Sequence, residues 1–137
     1  MINVLIADDH AIVRSSLAEL FASTLDISVV AECADGSEVV ERAGASRPDV
    51  VLMDLTMPGM DGMTATQALL LVQPEARVVL LTASLRPNVV QQAQACGARG
   101  FLLKGEDPAG LLESVRQVAA GGTAWCEAAA RELHASD

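Results

Sequence analysis

Five polar residues in this 137-residue sequence stand directly after, or at the end of, apolar runs: Asp8, Asp9, Asp54, Thr82 and Lys104. If the chain brings the three acids into one cleft, their charges repel, and such a site needs a cation. Carboxylate oxygens suit Mg²⁺, which uses few protein ligands, keeps several waters and bridges to phosphate oxygens. The residue types therefore predict a magnesium site of the kind that handles phosphoryl groups.

The chemistry predicted for this site is phosphoryl transfer to Asp54, because a carboxylate can attack phosphorus and form an acyl phosphate. Lys104 can neutralise one carboxylate and hold a phosphoryl oxygen as a point charge. The hydroxyl of Thr82 can donate a hydrogen bond to the same oxygen. Charge and position of this kind stabilise a transferring phosphoryl group.

Each of these residues also has an ordinary structural explanation. Asp8 and Asp9 could cap a helix, and Asp54 could begin a turn. Thr82 could bond to nearby backbone, and Lys104 could be a solvated surface cation. Four such coincidences at one edge of a sheet are much rarer than any single one, so we favour the functional interpretation.

The elements that must position these residues alternate between strand and helix patterns. Apolar runs predict strands over residues 2–7, 27–33, 50–54, 77–82 and 100–104. Such alternation predicts an α/β fold with a doubly wound parallel sheet, helices on both faces and right-handed crossovers. Five strands favour the flavodoxin-like order 2-1-3-4-5, which places the ends of the first and third strands side by side. Asp8, Asp9 and Asp54 should therefore converge.

Helix signals occupy the intervening segments. The first helix has one apolar face, and the second begins near Asp35 and should end before Gly44. A third runs from Gly62 to about Val72. The fourth and fifth have proline in the first turn and glycine at the end; these residues are Pro87, Gly97, Pro108 and Gly121.

Composition limits the classes of protein that fit. The chain is 51% hydrophobic and carries a formal charge of −9, so it is globular and a poor binder of nucleic acid by itself. No apolar run approaches the ~20 residues that cross a bilayer, and the start lacks a basic leader, which predicts a cytoplasmic protein without membrane contact. Cys33, Cys96 and Cys126 are odd in number and widely spaced. They suggest small buried side chains rather than disulfides or a zinc site.

Taken together, these motifs resemble the receiver domain of two-component response regulators. The matching segments are Asp8-Asp9, Asp54 through Gly62, Thr82-Ala83 and Phe101-Leu102-Leu103-Lys104, and the resemblance covers about residues 1–121. It implies that a sensor histidine kinase phosphorylates Asp54. A receiver is a phosphoacceptor rather than an ordinary enzyme, with Mg²⁺-dependent self-phosphorylation and self-dephosphorylation as its only chemistry.

The resemblance also assigns roles to individual residues. It implies that Asp9, Asp54 and the backbone carbonyl of Thr56 bind Mg²⁺ directly, and that Asp8 helps through water. Thr82 and Phe101 would form the coupled switch pair, although many receivers have tyrosine where this chain has Phe101. Phe101 is equally well explained as a core aromatic on a short strand.

The sequence segments 47–54 and 100–104 most resemble those of the NarL/LuxR branch, whose members carry a C-terminal helix-turn-helix. The 15 residues after Gly122 are too few for such a module. We therefore expect a receiver domain over residues 1–122, and over residues 123–137 a tail or the start of a linker to an absent output domain. DNA would be contacted only through that domain, and phosphorylation would promote a homodimer.

Other classes of protein fit less well. A haloacid-dehalogenase-type phosphatase needs a second acid two residues after the nucleophile, and Thr56 stands there. A nucleotide or flavin binder needs a glycine-rich loop after the first strand, where this chain has Ala-Asp-Asp-His. A stand-alone receiver, or a receiver that is never phosphorylated and serves as an interaction module, remains an alternative.

Overall fold

Six parallel strands form a single sheet at the centre of the computed structural model, which describes residues 1–105 and 107–135. The strands are β1 (Ile2–Ala7), β2 (Ile27–Cys33), β3 (Val50–Asp54), β4 (Val78–Thr82), β5 (Gly100–Leu103) and β6 (Ala124–Trp125). Their order across the sheet is β2-β1-β3-β4-β5-β6. The predicted order is thus confirmed for the first five strands, and the predicted strand limits differ from the observed ones by at most one residue.

Within the described ranges, six helices connect and cover the strands. They are α1 (Ala11–Ala22), α2 (Val39–Ser46), α3 (Gly62–Val72), α4 (Pro87–Cys96), α5 (Pro108–Ala119) and α6 (Glu127–Ala135). A short 3₁₀ turn at Gly36–Glu38 precedes α2. Pro87 and Pro108 lie in the first turns of their helices, and Gly97 ends α4 with a φ of 102°, as the sequence predicted.

Each face of the sheet has its own core. Alternate side chains of a strand point to opposite faces, so Val51 and Met53 belong to one core while Val50 and Leu52 belong to the other. The first core packs against α2, α3, α4 and α6, and the second packs against α1 and α5. All four of these β3 side chains are at most 1% exposed, which explains the unbroken apolar run in the sequence.

The prediction of a five-stranded sheet was wrong, because β6 adds a sixth strand at the edge of β5. Gly100 pairs with Ala124 and Phe101 pairs with Trp125. The backbone N–H of Cys126 also donates to the carbonyl of Phe101 at 2.9 Å. A two-residue strand has no alternating pattern of its own, so its position depends on the hydrogen bonds that the edge of β5 offers.

The predicted end of α2 at Gly44 was also wrong. The helix continues through Gly44 to Ser46 and ends at Arg47, which adopts the left-handed conformation with a φ of 46°. Glycine is the commonest residue at a left-handed helix end, but other residues can adopt the same conformation, and here Arg47 does so. The backbone N–H of Arg47 donates to the carbonyl of Ala43, which satisfies one of the last carbonyls of the helix.

The three cysteines are free thiols. Cys33 is buried, and this burial raises the pKa of its thiol to about 11. Cys96 and Cys126 are partly exposed, so full burial is confirmed for Cys33 alone. Among the described helices, none combines the length and the apolar character that crossing a bilayer requires.

Candidate functional site

The strand order brings the predicted acids to one edge of the sheet. Ala7, the last residue of β1, pairs with Met53 of β3. Asp8 and Asp54 directly follow these two residues in the sequence and therefore lie at the same level of the sheet. Both carboxylates are buried, with 1% and 3% of Asp8 and Asp54 exposed. Because the first and third strands are neighbours, residues 46 positions apart in the sequence form one acidic cluster.

Lys104 supplies the positive charge of this cluster. Its backbone N–H donates to the carbonyl of Thr82 at 2.7 Å, which fixes the end of β5 against the end of β4. Its Nζ lies 2.8 Å from Asp8 Oδ2 and 3.2 Å from Asp54 Oδ2. Within the described chain, neither of these buried oxygens has a further hydrogen-bond partner. One ammonium thus stands between two carboxylates, and the charge of the site is incompletely balanced.

This imbalance affects the ionisation of the three groups differently. Burial and the neighbouring charge of Asp8 raise the pKa of Asp54, and Lys104 only partly offsets them. Burial also acts to raise the pKa of Asp8, but hydrogen bonds from Lys104 and His10 outweigh it and lower that pKa. Burial acts to lower the pKa of Lys104, yet the two carboxylates outweigh it, so the ammonium stays charged. Additional positive charge would therefore stabilise the ionised form of Asp54.

The acids and a histidine form a set of groups that could hold a metal ion. Asp8, Asp9, His10 and Asp54 each offer one ligand atom, and these atoms all lie within 4.8 Å of one another. The imidazole Nδ1 of His10 lies 3.0 Å from Asp8 Oδ1 and 3.1 Å from Asp9 Oδ1. The sequence analysis assigned no role to His10, although its position directly after the two acids was the available signal.

The loop after β3 holds Asp54 by close backbone contacts. The backbone N–H of Thr56 donates to Asp54 Oδ1 at 3.3 Å, and the N–H of Gly62 donates to the carbonyl of Leu55 at 2.9 Å. A Cβ atom on Gly62 would lie 2.2 Å from the backbone oxygen of Asp54, so only glycine fits without displacement. The role of the Thr56 carbonyl as a metal ligand stays a prediction.

Of the two predicted switch residues, Thr82 directly follows Leu81, which pairs with Asp54, while Phe101 lies in β5 three residues before Lys104. The hydroxyl of Thr82 donates to the carbonyl of Ser84 at 2.9 Å, which is the ordinary structural role considered for it. A cleft of about 380 Å³, lined by Thr56, Thr82 and Ser84 among others, separates the loops after β3 and β4. Phe101 is fully buried in the core that contacts α4 and α6. Their coupling on phosphorylation stays a prediction.

The fold and the site together define a flavodoxin-like α/β domain with a cluster of acids at the carboxyl ends of its parallel strands. The family described as "Response regulator receiver domain" matches residues 4–116 of this sequence. The chain therefore belongs to the response regulator receiver domain family.

Individual relatives agree with this assignment and with the NarL/LuxR branch. The transcriptional regulatory protein LiaR of Bacillus subtilis (strain 168) is 38% identical over 121 residues, which are 88% of this chain and 57% of that protein. The nitrate/nitrite response regulator protein NarL of Escherichia coli (strain K12) is 36% identical over 133 residues, which are 97% of this chain and 62% of that protein. The chain thus spans about three fifths of the length of these relatives.

A solved structure supports the fold over nearly the whole chain. It is a two-component response regulator of the LuxR family from Aurantimonas sp. SI85-9A1, with a TM-score of 0.92 and 32% sequence identity. The match covers 98% of this chain and 96% of that one. The segment that contains β6 and α6 therefore falls within the region of structural similarity.

Proposed function

We propose that this chain is a phosphorylation-dependent switch in which Asp54 accepts a phosphoryl group from the phosphohistidine of a sensor histidine kinase. The observation that carries the proposal is the position of Asp54. Its carboxylate is 3% exposed, lies 3.2 Å from the Lys104 ammonium and belongs to a cluster of ligand atoms within 4.8 Å of one another. A buried carboxylate, an ammonium and a set of candidate metal ligands thus lie together at the edge where parallel sheets place their chemistry, and this supports the proposal.

In the proposed reaction, a carboxylate oxygen of Asp54 forms a bond to phosphorus while the phosphorus–nitrogen bond of the phosphohistidine breaks. The proton needed by the leaving imidazole comes from the histidine or from solvent. Lys104 can turn from Asp54 towards a phosphoryl oxygen, since its Nζ already lies within hydrogen-bond distance of both carboxylates. Asp8 then retains an ion pair with Lys104.

The residues present fit a divalent cation, because the buried carboxylates of Asp8 and Asp54 share the single ammonium of Lys104, and Asp9 offers a third carboxylate within 4.8 Å. We propose that Asp9, Asp54 and the carbonyl of Thr56 hold Mg²⁺ directly and that Asp8 acts through water. When bound, Mg²⁺ supplies the positive charge that offsets the phosphoryl oxygens. The same residues would support self-phosphorylation from small phosphodonors and self-dephosphorylation.

The proposed conformational switch is driven by the charge of the phosphoryl group. A phosphoryl group adds about −1.5 to −2 charges at Asp54. The hydroxyl of Thr82 would leave the Ser84 carbonyl and donate to the new phosphoryl oxygen, and Phe101 would repack behind it. We propose that this change promotes a homodimer and controls transcription through a DNA-binding domain outside this chain, and that residues 123–137 begin the connection to that domain.

The proposal is tested by incubating the protein with Mg²⁺ and acetyl phosphate and measuring the intact mass. We expect the mass gain of one phosphoryl group in the wild type and no gain in Asp54→Ala. Asp26→Asn is the matched control. Asp26 directly precedes β2, so it lies at the amino ends of the strands, and its substitution should leave the mass gain intact. A gain that survives Asp54→Ala would exclude Asp54 as the acceptor.

A further inference from the structure

Asp35 joins the connection between β2 and α2 to the loop between β3 and α3. Its Oδ1 accepts the backbone N–H of Ser37 at 2.9 Å, which caps the short 3₁₀ turn and is an ordinary structural role. The same oxygen also accepts the N–H of Met60 at 3.5 Å, a long hydrogen bond to a residue 25 positions away in the sequence. The side chain therefore has a contact that capping does not explain.

Two glycines bring the same segments into direct contact. A Cβ atom on Gly36 would lie 2.1 Å from the backbone oxygen of Met60, and a Cβ on Gly59 would lie 2.7 Å from Asp35 Oδ2. Both separations are shorter than real Cβ contacts, so a side chain at either position would push the segments apart. Gly59 also has a φ of 74°, in the left-handed region that favours glycine. We call Asp35, Gly36, Gly59 and Met60 the loop contact.

The loop contact lies on the segment that holds the carboxylate of Asp54. Near Asp54, this loop is fixed by the N–H of Thr56, which donates to Asp54 Oδ1 at 3.3 Å. In the middle, the side chain of Met57 is 7% exposed and packs in the core. Residues 59–60 belong to the loop contact and rest on the segment that contains Asp35. Displacement of this part of the loop would therefore loosen the hydrogen bond between Thr56 and Asp54.

We propose that Asp35 is a positioning residue for the phosphorylation of Asp54. Asp35 is outside both the set of candidate metal ligands and the residues that line the cleft beside Thr82, so its effect passes through the loop. By holding the loop in place, it keeps the Thr56 N–H on Asp54 Oδ1 and the carboxylate in one orientation. A nucleophile held in the geometry of attack reacts faster than one that must first be oriented. This inference rests on the proposed phosphorylation of Asp54 and adds a residue from outside the acidic cluster.

The loop contact needs a hydrogen-bond acceptor of this shape and not a negative charge. Asparagine has the shape of aspartate and keeps one carbonyl oxygen, which can accept both N–H groups. Alanine removes the acceptor and leaves a space beside Gly59. Asp35→Asn should therefore keep the contact, whereas Asp35→Ala should release the loop. Gly59→Ala strains the same contact from the other side, because its Cβ would press on the Asp35 carboxylate.

The experiment measures the rate of phosphorylation of the full chain by acetyl phosphate with Mg²⁺, followed by intact mass. In Asp35→Ala and in Gly59→Ala we expect the maximal rate to fall about 10-fold, because the acceptor is less well oriented. The apparent KM for acetyl phosphate should stay within about twofold, because Asp35 does not line the cleft. Asp35→Asn should keep at least about half of the wild-type rate. Asp107→Ala is the matched control: it removes another capping hydrogen bond, from the N–H of Ala109 at 3.2 Å, and should leave the rate unchanged.

Hydrogen exchange gives a readout that does not depend on phosphorylation, and circular dichroism checks that each variant is folded. Peptides that span residues 55–61 should exchange about 10-fold faster in Asp35→Ala than in the wild type or in Asp107→Ala. Unchanged exchange in Asp35→Ala, or equal phosphorylation rates in the wild type, Asp35→Ala and Gly59→Ala, would overturn the inference. An equal loss of rate in Asp35→Asn and Asp35→Ala would also overturn it, because an acceptor of the same shape should suffice. A wild type that takes up no phosphoryl group would instead refute the proposed function itself.

Discussion

Two regions of the sheet are held in place by different physical means. We call the carboxyl ends of β1 and β3, with Asp8 and Asp54, the acidic edge, and we call β6 with the adjoining side of β5 the outer edge. At the acidic edge, Asp8 and Asp54 are buried beside each other with one ammonium between them. At the outer edge, β6 adds backbone hydrogen bonds to β5, and Ala129 of α6 is fully buried in the adjoining core. The first region concentrates charge at a cost in stability, while the second region stabilises the fold through ordinary packing.

The strand β5 contributes residues to both regions. It therefore offers a route by which phosphorylation at the acidic edge could change the outer edge. Phe101 pairs with Trp125 at the outer edge, and Lys104 follows three residues later at the acidic edge. The comparison makes a simple claim: substitutions at the outer edge should lower stability, whereas removing charge from Asp54 should raise it. The following substitutions test this claim in order of decreasing effect.

Ala129→Glu should give the largest loss, because it places a carboxylate in a fully buried position of the core. We expect the free energy of unfolding to fall by about 3 kcal/mol, measured by urea denaturation. Arg131→Glu is the control in the same helix, at an exposed side chain that only pairs with Glu127 at 3.5 Å. It changes the net charge more but should cost less than about 1 kcal/mol. Equal losses would show that α6 is not packed as described.

Gly62→Ala tests the packing of the acidic edge. The added Cβ would lie 2.2 Å from the backbone oxygen of Asp54, and we expect a loss of about 2 kcal/mol. Gly100→Ala places a Cβ 2.6 Å from the carbonyl oxygen of Ala124, but the short β6 can move away, so its loss should be smaller. Gly110→Ala meets nothing within 4 Å and should gain about 0.5 kcal/mol from helix propensity. A larger loss in Gly100→Ala than in Gly62→Ala would show that β6 is held more rigidly than the loop after β3.

Asp54→Asn should raise the free energy of unfolding at neutral pH by about 1 kcal/mol. Burial and the charge of Asp8 raise the pKa of Asp54, so its ionised form opposes folding and a neutral amide removes that opposition. The opposite change is expected for Asp8→Asn, because the pKa of Asp8 is lowered and its ionised form favours folding. Thermal unfolding of the two variants at neutral pH, compared with the wild type, checks the signs. Stabilisation by both substitutions would contradict the prediction, because it would mean that the ionised forms of Asp8 and Asp54 both oppose folding.

The smallest effect concerns a surface pair outside both regions. Arg116 donates to Asp26 at 2.8 Å and 3.1 Å, and these hydrogen bonds lower the pKa of Asp26 from its ordinary 3.8. The stabilisation is thus fully present above pH 3.8 and is lost as the pH falls through the lowered value. Asp26→Asn should therefore be less stable than the wild type at neutral pH, and the difference should vanish in strong acid. A difference that is constant with pH would exclude the ion pair as its source.

The acidic edge could be predicted from the sequence because its residues are conspicuous by type. Each acid alone has an ordinary structural explanation, but several acids that directly follow apolar runs are unusual, and the alternation of strands and helices fixes which strand ends are neighbours. The convergence of Asp8, Asp9 and Asp54 with Lys104 follows from these two facts alone. The orientation of the hydroxyl of Thr82 could not be predicted, because both a loop carbonyl and a phosphoryl oxygen suit a hydroxyl donor.

The outer edge could not be predicted for the opposite reason. Ala124 and Trp125 form a strand only because β5 has an unpaired edge, and no pattern in two residues indicates this. The end of α2 was missed because Gly44, an accepted signal for a helix end, lies inside the helix and Arg47 ends it. The position of β6 thus depends on its pairing with β5, and the end of α2 depends on a left-handed Arg47 that residue type did not indicate.

The pairing of Phe101 with Trp125 has a spectroscopic consequence. The sequence holds one tryptophan and no tyrosine, so indole emission from this protein comes from a single, partly buried site. That site is one strand away from the aromatic residue proposed to repack on phosphorylation. The intensity and wavelength of its fluorescence therefore provide a label-free optical record of the state of β5, readable in a stopped-flow instrument while a phosphodonor is mixed with the unmodified protein.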